Sequence, residues 1–177
     1  ILRLSDRGFA KSIRTGIENA HGDQIIVMDT DFTHAPSDIP KLLHVSQVFD
    51  IVSGSRFCSG GRMQDVQHYL ASMAYNWFIR LLLRTQIQDN LGGFFTINRK
   101  KLLDLPCDKI FFGYGDYFFR FLFFARKAGL SFVEIPSIYA VRSTGKSKSD
   151  FFKMLFSYTI AVLKLKFKNS FLFDSKK

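Results

Sequence analysis

Two carboxylates one residue apart, Asp29 and Asp31, follow directly on the four apolar residues 25–28 in the stretch IIVMDTDFTHAP. In extended backbone the side chains alternate, so residues i and i+2 share a face and these two can converge on one point. Converging carboxylates repel unless a cation or a proton lies between them. A hard divalent cation such as Mg²⁺ or Mn²⁺ takes oxygen ligands and often keeps waters and substrate phosphates in its shell. A D-x-D after a hydrophobic strand is therefore a seat for a metal with a diphosphate. The spacing alone is equally compatible with Asp29 capping a helix and Asp31 standing in water.

The elements that must position this pair can be read from periodicity. Residues 8–21 place Ala10, Ile13, Ile17 and Ala20 at helical spacing, with Gly22 as the stop. Residues 24–28 read as a buried strand. A loop and a short helix follow, with Ser37 able to cap and Pro36 and Pro40 near the start. Further strands are predicted at 50–57, 92–99, 131–136 and 138–142. Helices are predicted at 66–84, over KKLLDL, at 116–129 and from 150 onward. Short apolar strands alternating with helices predict an α/β domain with a mostly parallel sheet. In such sheets ligands bind beyond the carboxyl ends of the strands, where Asp29 and Asp31 stand.

Composition narrows the partners. The 177 residues suffice for one domain with a core, and 47% hydrophobic content with 21 Phe excludes a disordered chain. A net charge of +10 points to an anionic partner: nucleic acid, anionic lipid or a phosphorylated ligand. Cys58 and Cys107 are far apart and form no C-x-x-C, which argues against a disulfide framework or zinc site and fits a reducing compartment. No run of apolar residues is clean enough for a transmembrane helix. The sequence starts at Ile1 without Met or signal peptide and reads as a piece of a longer chain.

Taken in order, DRGFAKSIRTGI, IIVMDTDFTHAPSDIPKLL, DIVSGSRF with a following GG, DNLGGFFTINRKKL, GYGDYFFRFLF and RSTGKSKS resemble the family-2 glycosyltransferases of the dolichyl- and polyprenyl-phosphate sugar synthase type. The likeness spans roughly residues 3–150. It implies a GT-A fold, a nucleotide-sugar donor (GDP-mannose or UDP-hexose), Mg²⁺ or Mn²⁺, and a polyprenyl or dolichyl phosphate acceptor. It also implies that a first strand precedes Ile1.

The resemblance carries roles onto matching positions. Asp29 and Asp31 become contacts to metal and nucleotide, with Thr33 a further metal ligand. Arg56, closing the GSR strand, would touch the donor phosphates; a surface ion pair is the plainer alternative. Asn90, Gly92 and Gly93 match a turn near the acceptor, where glycine lets backbone approach a ligand, though a tight turn would look the same. Arg142, Lys146, Ser147 and Lys148 match R-x-x-G-x-S-K, a Gly-containing basic loop able to wrap phosphates or simply be solvated. Ser72 lies on a polar stripe with His68, Asn76 and Arg80, spaced four apart, facing acceptor or water. Asp116 stands where many inverting relatives place a base, although an ionised phosphate acceptor needs none and a helix N-cap is the alternative.

Two units are expected: a GT-A catalytic domain over 1–150, incomplete at its start, and an amphipathic membrane-interface segment over 151–177. In the latter, Lys153, Ser157, Lys164 and Lys168 fall within about 60° of one another at ~100° per residue. Such a helix suits a lipid headgroup layer on the cytoplasmic face, or else packs in a core. The competing functions are transfer to a sugar hydroxyl, with Asp116 as base, or a non-catalytic membrane-bound homologue. Nucleic-acid binding is not expected, because no recognised motif accompanies the charge.

Overall fold

The computed structural model describes residues 7–31, 33–63, 66–140 and 151–168. Among these, four strands form the main sheet: β1 (Gln24–Val27), β2 (Ile51–Ser55), β4 (Phe95–Asn98) and β5 (Phe132–Pro136), in the order β1-β4-β2-β5. β1, β2 and β5 run in one direction. β4 lies between β1 and β2 and is antiparallel to both, with Ile25 and Ile51 each opposite Ile97. The sheet is thus mostly parallel with one reversed strand. A short parallel pair, β3 (Arg62–Met63) with β6 (Ile138–Tyr139), lies apart from it.

Neighbouring residues of each strand enter different cores, as period-2 side chains in a sheet covered on both faces must. Ile25, Ile51, Phe95 and Ile97 pack with α1 (Phe9–Asn19) and with α6 (Tyr117–Lys127) through Phe118, Phe121, Leu122 and Ala125. Ile26, Val52, Phe94 and Val133 pack on the other face with Leu42 of α2 (Ile39–Val45). α1 ends at an extended Ala20 rather than at Gly22. The third strand begins at Phe95, later than its apolar run suggests, and α4 (Arg99–Leu103) follows at once, capped by Asn98 Oδ1, which accepts from the Lys100 and Lys101 amides. A further short helix, α5 (Cys107–Ile110), precedes α6.

α6 is buried on two sides, which accounts for its phenylalanines. Phe118 and Phe121 face the sheet. Phe119 and Phe123 meet Ile79 and Leu83 of α3 (Val66–Leu83) and Tyr158, Val162 and Leu165 of α7 (Phe151–Lys168). The α7 helix is therefore part of the folded body along one face.

Candidate active site

Past β1 the chain must turn, and the Asp29 amide lies beyond the last ladder pair, Val27 with Phe95. A backbone N–H left there needs an acceptor. It finds His34, donating to Nδ1 at 3.0 Å. Asp31 closes the rest of the loop: its Oδ1 accepts from the Thr33 amide at 3.1 Å and from the Thr33 hydroxyl at 2.7 Å. Thr33 thereby orients a carboxylate, and it does not face the cavity described next. The expectation that it is a further ligand is revised accordingly.

Asp29, Thr30 and Asp31 line a cavity of about 580 Å³. Gly92 and Gly93 form another part of its wall, and Ser72 a third. Gly93 has φ of +75°, and a Cβ on it would lie 3.0 Å from the Tyr117 hydroxyl, so both its backbone and its surroundings require glycine. The remaining wall is apolar and aromatic: Ala71 and Tyr75 from α3, Met154, Leu155 and Tyr158 from α7, Leu91, and Phe9 with Tyr114 and Tyr117. Tyr75 Oη lies 3.1 Å from Thr159 Oγ1, which fixes α3 against α7 at this wall. Burial, with Asp29 adding to it, holds the Tyr117 phenol above its ordinary pKa, so it is neutral.

Arg56 also lines the cavity but differs from the expectation of an open phosphate cation. Its backbone amide, Nε and Nη2 donate to the carboxylate of Asp89 at 3.1, 2.8 and 2.7 Å. The guanidinium also sits 4.9 Å from the centre of the Tyr139 ring. Burial opposes its charge, but Asp89 outweighs burial and raises its pKa above the usual arginine value. A pair so matched leaves little net positive charge for a ligand.

Two other expectations are corrected. Asn90 is fully buried and away from the cavity wall; its side chain donates to the carbonyls of Ile87 and Gln88, and its amide donates to Asn76 Oδ1. It shapes the turn that presents Gly92 and Gly93. Asp116 is at the N-cap position of α6, yet its carboxylate accepts from the Tyr114 amide and pairs with Arg120 rather than capping the helix. Arg120 in turn donates to the carbonyls of Ile110 and Phe112. A carboxylate paired this way and off the cavity wall weighs against the role of a base. Arg142, Lys146, Ser147 and Lys148 lie outside the described residues.

Sequence reasoning did not single out His34, Asp89 or the tyrosine wall. His34 is 1% exposed, stacked on Phe94 at 4.8 Å and edge-on to Tyr139 at 4.5 Å. Burial lowers its pKa to about 4, and Asp31 offsets this in part, so the ring is neutral at pH 7. The accepting Nδ1 puts the proton on Nε2, which has no hydrogen-bond partner among the described residues. The one signal for Asp89 is an acid between apolar Ile87 and Leu91, a place where charge needs a partner.

Among the described residues no group of three or more His, Cys, Asp or Glu side chains could hold a metal ion. Two half-buried carboxylates in a cavity supply part of an oxygen shell. That suits Mg²⁺ or Mn²⁺ completed by diphosphate and water, and does not suit zinc in an all-protein site.

Residues 1–105 match the profile of the family described as Glycosyl transferase family 2. The chain is 29% identical over 153 residues to a dolichol-phosphate mannosyltransferase of Pyrococcus furiosus, covering 84% of this chain and 42% of that protein. It is 30% identical over 146 residues to an undecaprenyl-phosphate mannosyltransferase of Micrococcus luteus, covering 79% and 58%. The chain thus spans about half the length of the curated relatives it matches. Among solved structures, glucosyl-3-phosphoglycerate synthase from Mycobacterium tuberculosis superimposes with a TM-score of 0.70 at 13% identity, over 92% of this chain and 57% of that one. The same enzyme in complex with Mn²⁺ and UDP-glucose gives 0.66 at 15% identity, over 92% and 56%. These likenesses give the fold.

Proposed function

Because the chain belongs to Glycosyl transferase family 2, we propose that it moves a sugar from a nucleotide-sugar donor, GDP-mannose or a UDP-hexose, to a polyprenyl or dolichyl phosphate, with inversion. The observation that carries this reading is one cavity lined by the Asp29/Asp31 pair and by an apolar wall from α3 and α7. The first suits a diphosphate with its cation, the second the lipid end of an acceptor. The relatives named for lipid-phosphate mannosyl transfer support the same acceptor class.

Asp29 and Asp31 would hold Mg²⁺ or Mn²⁺ together with the donor diphosphate. When bound, the cation supplies neutralisation of the charge that builds on the departing nucleoside diphosphate. An acceptor phosphate oxygen attacks the anomeric carbon, the bond to the diphosphate breaks with its electron pair, and configuration inverts. The nucleophile is already ionised, so no base is needed. The engaged Asp116 agrees with this and weighs against a sugar-hydroxyl acceptor. Gly92 and Gly93 let the reactants approach the backbone, and Ser72 offers a hydroxyl beside them. The basic stretch with Arg142, Lys146, Ser147 and Lys148 would add charge to the phosphates. Incubation with labelled GDP-mannose or UDP-glucose, Mn²⁺ and vesicles carrying a polyprenyl phosphate should move label into the organic extract. Label that stays aqueous with every donor would overturn the reading.

An enzyme using a polyprenyl phosphate must dock at a bilayer, and the outer faces of two helices support this reading. On α3, Leu70, Met73, Trp77 and Leu81 form one exposed stripe, Trp77 at 66%; on α7, Phe156, Ile160, Leu163 and Phe167 form another, Phe156 at 70%. Each stripe lies opposite the face its helix buries. Neither helix contains an acid, while Arg80, Lys153 and Lys164 are exposed beside the stripes. Apolar stripes flanked by cations alone suit an anionic lipid surface. No helix among the described residues is long and apolar enough to cross a membrane. The segment over 151–177 is thus read as an interfacial element on the cytoplasmic face, joined in this by α3. The chain should float with anionic vesicles and partly dissociate in high salt. The variant carrying Trp77→Glu and Phe156→Glu should stay at the bottom of the gradient with unchanged melting. Equal flotation of the two would place the anchor elsewhere.

A further inference from the structure

We propose that His34 is a positioning residue: it holds the backbone of Asp29, and with it the first carboxylate of the pair, in the conformation that receives a divalent cation with the donor diphosphate. This role rests on the metal reading above. His34 does not line the cavity, so whatever it contributes passes through Asp29.

The argument begins with the loop. The β1 ladder ends at Val27, and His34 lies five positions after Asp29. The Asp29 amide has left the sheet, and its bond to Nδ1 closes the loop on itself at 3.0 Å. The second carboxylate is fixed independently, by Thr33. Each half of the pair therefore has its own anchor. The anchor for Asp29 is itself rigid, because the imidazole is clamped between Phe94, which is fully buried, and Tyr139.

The choice of side chain carries the rest. An apolar ring would fill the gap between Phe94 and Tyr139 but would leave the Asp29 amide without its acceptor. Histidine leaves its Nε2 without a hydrogen-bond partner among the described residues. A buried donor so placed is a penalty with nothing to offset it except what the other nitrogen does. That nitrogen accepts one bond, from the residue that begins the D-x-D.

Two substitutions separate positioning from packing. His34→Phe keeps a ring and loses the acceptor; His34→Asn loses the ring and keeps an acceptor on the same Cγ that carries Nδ1. The readouts are hydrogen exchange at the Asp29 amide and Mn²⁺ affinity in the presence of GDP or of UDP, with thermal melting as the control for folding. In the Phe variant the amide should exchange faster and Mn²⁺ affinity should fall by roughly tenfold or more, the lower end of what outer-shell partners of metal ligands are worth. The Asn variant should remain near wild type in both, whatever it loses in melting temperature. His34→Leu replaces the Phe variant if the larger ring does not fit. Wild-type Mn²⁺ affinity in the Phe or Leu variant would overturn the role, as would an Asn variant as weak as Phe. A wild-type chain that takes up no Mn²⁺ with either nucleotide would overturn the metal reading, and the proposal with it, a result distinct from either of those.

Discussion

Asp31→Asn should abolish sugar transfer, lowering the rate by roughly a hundredfold or more, the scale seen when one partner of a developing negative charge is removed. The fold should not notice. Asn keeps the Oδ1 that accepts from the Thr33 amide and hydroxyl, so the turn survives and only the charge is lost. EDTA should have the same effect on the wild type and be reversed by excess Mn²⁺. The loss should appear in kcat as much as in KM, because the charge to be neutralised grows as the diphosphate departs. Full turnover in chelator, or an Asn variant with wild-type kinetics, would rule out the metal role of the pair.

The second large effect concerns stability. Asp89→Leu should cost roughly 3–5 kcal/mol, the range for breaking a buried ion pair by removing one partner. The Asp89 side chain is 0% exposed and that of Arg56 9%, so a lone guanidinium would have no route to water without unfolding its surroundings. The Asp89 carboxylate also binds the Arg56 backbone amide at the end of β2, so the turn carrying Gly92 and Gly93 loses its tie to the sheet. Removing both charges, with Arg56→Met added, should restore much of the denaturant midpoint without restoring transfer. An Asp89→Leu protein that melts with the wild type would show that the pair is not structural.

Much of this could be read from local pattern. The apolar residues before Asp29 and those around Val52 announce strands, and the alternating placement of Asp29 and Asp31 follows from the geometry of extended chain. What could not be read is where a local pattern meets a distant one. Arg56 finds Asp89 33 residues on, and nothing near Arg56 distinguishes that partner from phosphate. β4 inserts against the direction of its neighbours because pairing is decided by the whole sheet, not by the apolar run that forms the strand. Asp116 has the spacing of an N-cap, but Arg120 one turn later competes for its carboxylate and wins. His34 was hidden for a different reason: the bond it accepts comes from backbone, which leaves no trace in side-chain pattern. The α7 helix buries one face in the core and leaves apolar residues exposed on the other, and its period alone does not say what the exposed face meets.

That double use of α7 limits how the protein can be redesigned or can diverge. Met154, Leu155 and Tyr158 wall the cavity, while Phe156, Ile160, Leu163 and Phe167 lie on the surface. Cutting the chain at residue 150 to obtain a freely soluble form would take away the wall and uncover Ile79, Leu83, Phe119 and Phe123. The resulting stickiness could be mistaken for lipid affinity. A soluble form must instead be made by exchanging the outer stripes for polar residues one position at a time. A divergent relative would face the same constraint: the outer face of the helix could be repainted, but the helix could not be deleted.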